Sequence, residues 1–337
     1  MSRILVTGGC GFIGSHVAEH LAERGHGVTV VDDLSGGFTE NLVPGIDFVQ
    51  ASITDRDVIE RLFESRRFDY VYHLAAYAAE GLSPFIKRFN YTNNLLGSVT
   101  LINAAVNHGV KCFVFTSSIA VYGTSADLPL TEESPTRPDD PYGIAKLAVE
   151  QELRVSKSMF DLDYIVFRPH NVYGERQNLG DKYRNVVGIF MNQLLKGEPM
   201  TIFGDGEQVR AFSYIGDVAP LIASSIDVPA AYNQTFNVGA DTPYTVNALA
   251  DSVSRAMGKP HNVRHLPPRH EAPSAYSSHA KVQRIFGPRA TVDLDEGLSR
   301  MAEWAIRHGA RKSSVFEDIE VMKNFPAGWL EAAAGAK

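Results

Sequence analysis

The chain reads as an α/β protein built on a doubly wound parallel sheet. Three features of the sequence predict this. Short apolar runs alternate with helical patterns through the first half of the chain, as strands joined by crossover helices require. The first run leads through closely spaced glycines into a helical pattern. The second ends in paired acids, Asp32-Asp33, about twenty residues beyond those glycines.

Arg3-Ile-Leu-Val-Thr7 is the first strand, its apolar residues running together as in a strand covered on both faces. Gly8-Gly9-Cys10-Gly11-Phe12-Ile13-Gly14 follows, then a helix from Ser15 to about Arg24. Gly27–Val31 is the second strand, and Asp69–Leu74, Lys111–Thr116 and Asp163–Arg168 are later ones. Thr92–Asn107 reads as a helix presenting Leu95, Leu96, Val99 and Ile102 on one face. Past Gly174 the chain turns to long loops rich in glycine, proline and charge, with one clear helix at Val186–Lys196. Thr235–Gly239 is strand-like and is expected to return to the sheet. The short alanine-rich tail after Leu330 is expected to fray.

A chain of 337 residues makes one large or two intermediate domains. Its formal net charge of −7 gives no electrostatic footprint for nucleic acid. Two cysteines, Cys10 and Cys112, make no disulfide framework, so a reducing compartment is expected. Cys10 reads as a small packed residue of the glycine turn. No apolar run reaches membrane-spanning length. Met1-Ser2 leads straight into the first strand, leaving no room for a signal peptide. The expectation is a cytoplasmic protein. No metal-ligating set stands out.

Gly8, Gly11 and Gly14 let the backbone turn tightly and approach a pyrophosphate at a helix N-terminus. Phe12 and Ile13 belong to the same turn. Asp32 is placed to accept hydrogen bonds from ribose hydroxyls and to repel a 2′-phosphate, and Leu34–Phe38 offers no arginine to neutralise one. NAD is therefore expected over NADP. In Tyr142-Gly-Ile-Ala-Lys146, residues four apart share a helix face. An ammonium beside a phenol, aided by a cationic nicotinamide, favours the phenolate and makes a base suited to an alcohol proton.

These stretches carry a resemblance. Thr7–Gly14, His73-Leu-Ala-Ala76, Asn94-Leu-Leu-Gly97, Thr116–Gly123, Tyr142–Lys146, Arg168-Pro-His-Asn-Val-Tyr-Gly174, Gly204–Arg210 and Tyr214-Ile-Gly-Asp-Val218 resemble the extended short-chain dehydrogenase/reductases, specifically the NAD-dependent nucleotide-sugar epimerases and dehydratases. The resemblance spans almost the whole chain. It implies a Rossmann-type NAD domain over 1–174, rejoined by 212–239. A smaller C-terminal α/β substrate domain would take 175–211 and 240–330, closing over a nucleoside-diphosphate sugar. It also implies a homodimer formed through the helices around Thr92–Asn107 and Tyr142–Met159.

By the same resemblance, Ser118, Tyr142 and Lys146 are the catalytic set. Asp33, Ser52, Ile53, Leu74, Ala75, Ala76, Asn94 and Thr116 join the glycines and Asp32 around the cofactor. The family's usual acid after the third strand is replaced here by Ser52-Ile53. Dehydratases and decarboxylases of the family keep acids directly after the catalytic hydroxyl. Here those positions are Ile119 and Ala120, which cannot transfer a proton. The implied reaction is 4-epimerisation: C4 of a UDP-sugar is oxidised to a ketone, the sugar rotates about its diphosphate link, and the ketone is reduced on the other face. The intact Ser118, Tyr142 and Lys146 set argues against a non-catalytic NAD sensor of the same fold.

For the substrate, the resemblance places Asn171 and Asn185 on the diphosphate, Arg210 and Arg269 on its charge, and Phe203 against the uracil. The acid usual three residues after Arg269 is Ala272, with Glu271 adjacent. Tyr77, Glu80 and Ser83 each either face the sugar or shape the loop, without a rank among them. Arg176, Lys182 and Arg184 crowd one loop. Arg184 lies near where uronate epimerases present an arginine to the C6 carboxylate. The sequence narrowly favours UDP-glucuronate/UDP-galacturonate, with UDP-glucose/UDP-galactose as the alternative.

Overall fold

A computed structural model of the chain describes residues 1–269, 271–313, 316–327 and 329. The expected tail after Leu330 lies outside them.

Seven parallel strands form the central sheet: β1 (Arg3–Thr7), β2 (Gly27–Asp32), β3 (Asp47–Gln50), β4 (Tyr70–His73), β5 (Cys112–Thr116), β6 (Asp163–Pro169) and the segment Gln234–Val238. Their spatial order is β3-β2-β1-β4-β5-β6, with Gln234–Val238 added beside β6 in parallel register. The chain reverses direction of winding between β1 and β4, so their C-terminal ends open a crevice, the place where such sheets bind ligands.

Strand alternation sends side chains into two layers. Ile4 and Val6 of β1 join the cluster that includes Val17 and Leu21 of helix α1 (Phe12–Glu23), while Leu5 between them joins Ile59 and Phe63 of α2 (Arg56–Arg66). Each such side chain is fully buried, a contribution of roughly 1.5–3 kcal/mol. α1 begins at Phe12, earlier than the sequence suggested, because extended Gly11 serves as its N-cap inside the glycine turn.

The helix expected at Thr92–Asn107 differs. It starts as α3 (Lys87–Tyr91), passes through a π turn at Thr92–Leu96 and continues as α4 (Gly97–Asn107). The wider turn rotates the apolar stripe. Leu96, expected in the core, is 58% exposed, and Asn94 and Ser98 are buried instead. Their polarity is satisfied internally: Asn94 Nδ2 donates to Asn90 Oδ1 at 2.8 Å, and Ser98 Oγ donates to Asn94 O at 2.8 Å. α5 (Pro141–Phe160) follows, its N-cap Asp140 accepting from the Tyr142 and Gly143 amides.

Beyond Gly174 the chain holds more helices than the one expected. α6 (Val186–Lys196) is joined by α7 (Ile215–Ala223), α8 (Val246–Met257), α9 (Ala280–Phe286) and α10 (Leu294–His308). Small two- and three-stranded sheets involving Met200–Phe203, Val209–Ala211 and Val263–Leu266 stand over the crevice. No described helix is long and apolar enough to cross a membrane.

Candidate active site

A cavity of about 960 Å³ runs from the glycine turn, past the N-terminus of α5, to the small sheets. Its cofactor end is made of backbone. Gly8 sits at φ +69°, and a Cβ there would meet Ala75 backbone at 2.7 Å. A Cβ on Gly14 would lie 2.1 Å from Gly8 O. Only glycine lets these segments approach, leaving a bare cradle of the kind a pyrophosphate fills. Asp32 is buried at the end of β2, accepting from Cys10 N at 3.0 Å and Leu34 N at 2.8 Å. Burial holds its carboxyl above the usual range despite those donors. Asp33, Ile53, Leu74, Ala75 and Ala76 line the same end. Thr116 lines it too, with a buried Oγ1 that has no partner among the described residues. Cradle, acid and open hydroxyl fit a dinucleotide. Burial, then Asp32, pushes the Cys10 thiol up to about 12, so it is an inert packing residue.

Two expected cofactor residues stand elsewhere. Asn94 is committed to Tyr77, accepting from its N at 2.8 Å and donating to its O at 3.0 Å. The π turn points it at the loop after β4, so it shapes that loop and does not line the cavity. Ser52 Oγ pairs with Thr54 Oγ1 at 2.8 Å and also lies off the cavity wall.

Ser118, Tyr142 and Lys146 converge at the middle of the cavity. Pro141 at the first position of α5 and Asp140 at its cap fix where Tyr142 emerges. One turn on, Lys146 Nζ donates to Thr116 O at 2.8 Å and lies 4.7 Å from the Phe115 ring centre. The electrostatics differ from the sequence expectation. Burial brings the Lys146 ammonium down to about 7, opposed by Glu150. Burial raises the Tyr142 phenol well above its ordinary value, Glu80 raises it further, and a hydrogen bond with Ser118 opposes them. Helical spacing brings Tyr142 and Lys146 together, but in the protein alone desolvation is the largest influence on both groups.

A buried network supports this centre. Glu150 binds Arg168 through two contacts of 2.9 and 2.5 Å and accepts from Ser117 Oγ at 2.6 Å. Arg168 also donates to Tyr122 O–H at 2.7 Å, which donates to Asn237 Oδ1 at 2.8 Å. It ties α5, β6 and the turn bearing Ser118 into one body. Removing either ion partner strands a buried charge, at a cost of roughly 3–5 kcal/mol.

The far end is built from side chains of distant segments. Arg210 donates to Ala272 O at 2.7 Å and Val209 O at 2.8 Å, and Glu271 Oε2 lies 3.4 Å from Arg210 and 3.3 Å from Arg269. Glu271 thus bridges the two arginines although the usual acid position holds Ala272. Arg269 lies over the Phe203 ring at 4.7 Å. Asn171 and Asn185 both line the cavity in the left-handed region, at φ +39° and +62°, a strain that collects at functional sites. Asn171 Nδ2 donates to Ala211 O at 3.1 Å; the Asn185 side chain does not cap α6.

Among the wall residues that sequence reasoning missed are Asp140, Asp181 and Trp329. Asp140 was findable, because an acid before Pro-Tyr at a helix start is a capping signature. Asp181 and Trp329 carry no local signal.

Comparisons with known proteins agree with this geometry. The model of the NAD dependent epimerase/dehydratase family matches residues 4–239. A UDP-glucose 4-epimerase of Mycolicibacterium smegmatis is 35% identical over 309 residues, covering 90% of this chain and 98% of that protein. The structure of Thermotoga maritima UDP-glucose 4-epimerase with UDP-glucose is 37% identical, with a TM-score of 0.86 over 91% of this chain and 99% of that one. UDP-glucuronic acid 4-epimerase from Bacillus cereus, solved with UDP-glucuronic acid and NAD, is 27% identical, with a TM-score of 0.82 over 90% and 98%. The chain belongs to the NAD-dependent epimerase/dehydratase family.

Proposed function

We propose that this NAD-dependent UDP-sugar 4-epimerase takes a neutral hexose and interconverts UDP-glucose and UDP-galactose. The observation that carries this reading is the state of Arg184. Its Nε donates to Asp181 Oδ2 at 2.5 Å, and its guanidinium lies over the Tyr77 ring at 4.7 Å. A second carboxylate, on a uronate, would compete with a buried acid already in place. The other two loop cations are engaged as well: Arg176 binds Glu19 at 2.6 Å, and Lys182 donates to the Trp329 carbonyl at 3.4 Å. These pairings weigh against the uronate that the sequence narrowly favours. Relatives of 35% and 37% identity are UDP-glucose 4-epimerases.

When bound, NAD supplies the hydride acceptor and donor for C4. The glycine cradle, Asp32, Thr116 and Lys146 would hold it. Tyr142 takes the proton of the sugar 4-hydroxyl as C4 becomes a ketone, and Ser118 donates a hydrogen bond to the same oxygen. Arg210, Arg269, Asn171 and Asn185 grip the diphosphate, so the sugar turns about that anchor. Tyr142 returns the proton once the opposite face is presented. Arginine suits the anchor because its planar fork matches phosphate oxygens.

Exposed apolar Ile144, Val155 and Met159 share one face of α5, which supports a homodimer through that surface; sedimentation of an Ile144→Glu, Met159→Glu variant as a dimer would remove this reading.

The purified protein, given no added cofactor, should convert UDP-glucose to UDP-galactose, and Arg184→Leu should change that rate only a few-fold. Faster turnover of UDP-glucuronate, lost selectively in Arg184→Leu, would establish the uronate instead. Failure to turn over either sugar while NAD stays bound would remove the UDP-glucose/UDP-galactose reading.

A further inference from the structure

The loop after β4 left Tyr77, Glu80 and Ser83 unranked, and the structure separates them. Tyr77 lies against Arg184. Ser83 is buried and acts as a clamp: its Oγ donates to Glu80 O at 2.8 Å and accepts from Tyr142 N at 3.1 Å. One hydroxyl thereby links the backbone of Glu80 to that of the residue proposed as catalytic base. Glu80 alone of the three sends an accessible charged group into the cavity. Among the described residues its carboxylate has no hydrogen-bond or ion-pair partner.

We propose that the Glu80 carboxylate receives a ring hydroxyl of the sugar and excludes sugars bearing a carboxylate. The inference rests on the UDP-hexose reading above. Glu80 acts on both ends of the substrate path. It is the leading charge opposing ionisation of Tyr142, and it is itself drawn down by Arg210 and Arg269. The ring between C1, which carries the diphosphate, and C4, which meets Tyr142, must pass this carboxylate. An unpartnered acceptor there meets hydroxyl donors of a neutral sugar, and a carboxylate that loses water to the sugar without gaining a donor would be left unpaired. The crowded cavity wall partly desolvates the open carboxyl and, with the neighbouring Asp140, raises it to about 7, so the group gains from any donor that replaces water. A uronate would instead bring like charge to a wall that already holds Glu80, Asp140 and Asp181.

The test is Glu80→Gln in the full-length, cofactor-loaded protein, with UDP, UDP-glucose and UDP-glucuronate. KM for UDP-glucose should rise about tenfold, the loss of a charge-assisted hydrogen bond. The preference for UDP-glucose over UDP-glucuronate should shrink by at least as much. Affinity for UDP alone should stay within about twofold, which also reports an intact fold. Unchanged KM and unchanged preference would overturn the proposal while leaving the UDP-hexose reading standing. Equal losses for UDP and UDP-glucose would overturn it too, by making Glu80 part of the arginine scaffold. A wild-type protein that prefers UDP-glucuronate would overturn both, and the wild-type arm alone identifies that case.

Discussion

The two ends of the cavity are made of different materials. The cofactor end is backbone: Gly8, Gly11 and Gly14 contribute the absence of side chains, and the acids at the end of β2 close the wall. The sugar end is side chain: Arg210, Arg269 and Glu271, with Arg184, Asp181 and Glu80, brought from segments far apart in sequence. Backbone shape admits few solutions, so the cofactor end specifies its ligand rigidly. Charge pairing admits many, since each arginine can answer an acid of the protein or an anion of the substrate. Ligand identity at the sugar end is therefore set by which charges remain unpaired.

That contrast can be broken at its junction, where the largest effect is expected. Tyr142→Phe should lower turnover by about 10²–10⁴-fold, with NAD content and UDP-sugar affinity nearly unchanged, because only the proton path is removed. Retained turnover, measured by coupled assay of the product sugar, would show that another group moves the proton. Next in size, Gly14→Ala should empty the backbone-built end. The added Cβ would collide with Gly8 O at 2.1 Å, so little NAD should be released from the denatured variant. A normal NAD yield by mass spectrometry would mean that the cradle tolerates side chains.

The smallest effect sharpens the comparison through pH. Lys146, at the cofactor end, is held down to about 7, so the unfolded chain binds more protons than the native one between about 7 and its ordinary value. The cofactor-free protein should gain stability as pH rises through that window. Glu80, at the sugar end, is held up to about 7 by burial and Asp140, with Glu271 adding and Arg210 and Arg269 opposing. Here the native state binds more protons, so stability should fall as pH rises from the ordinary carboxyl range towards 7. Urea midpoints against pH should show both limbs. Lys146→Met should flatten the upper limb and Glu80→Gln the lower; a limb that survives its variant has another source.

The sequence by itself determined whatever depends on near neighbours. Buried strands, the glycine turn and Asp32 are legible because strand period, a tight turn and a strand end are local. Tyr142 and Lys146 meet because four residues make a helical turn. Some local signals were present and still unread: Asp293 with Glu296 three residues on marks the start of α10, where its side chain caps the helix. Pro220 inside α7 disguised that helix.

Only the tertiary structure decided the rest. The π turn at Thr92–Leu96 exposes Leu96 and turns Asn94 towards Tyr77, a rotation that no apolar period encodes. Desolvation raises Tyr142 and lowers Lys146, which four-residue spacing does not show, because burial is a property of everything packed around the pair. Glu271 answers two arginines from a shifted position. Asp181 takes Arg184, and Glu80 is left open to the cavity. Partnership between charges depends on distances across the folded chain, and those distances decide which sugar the site can hold.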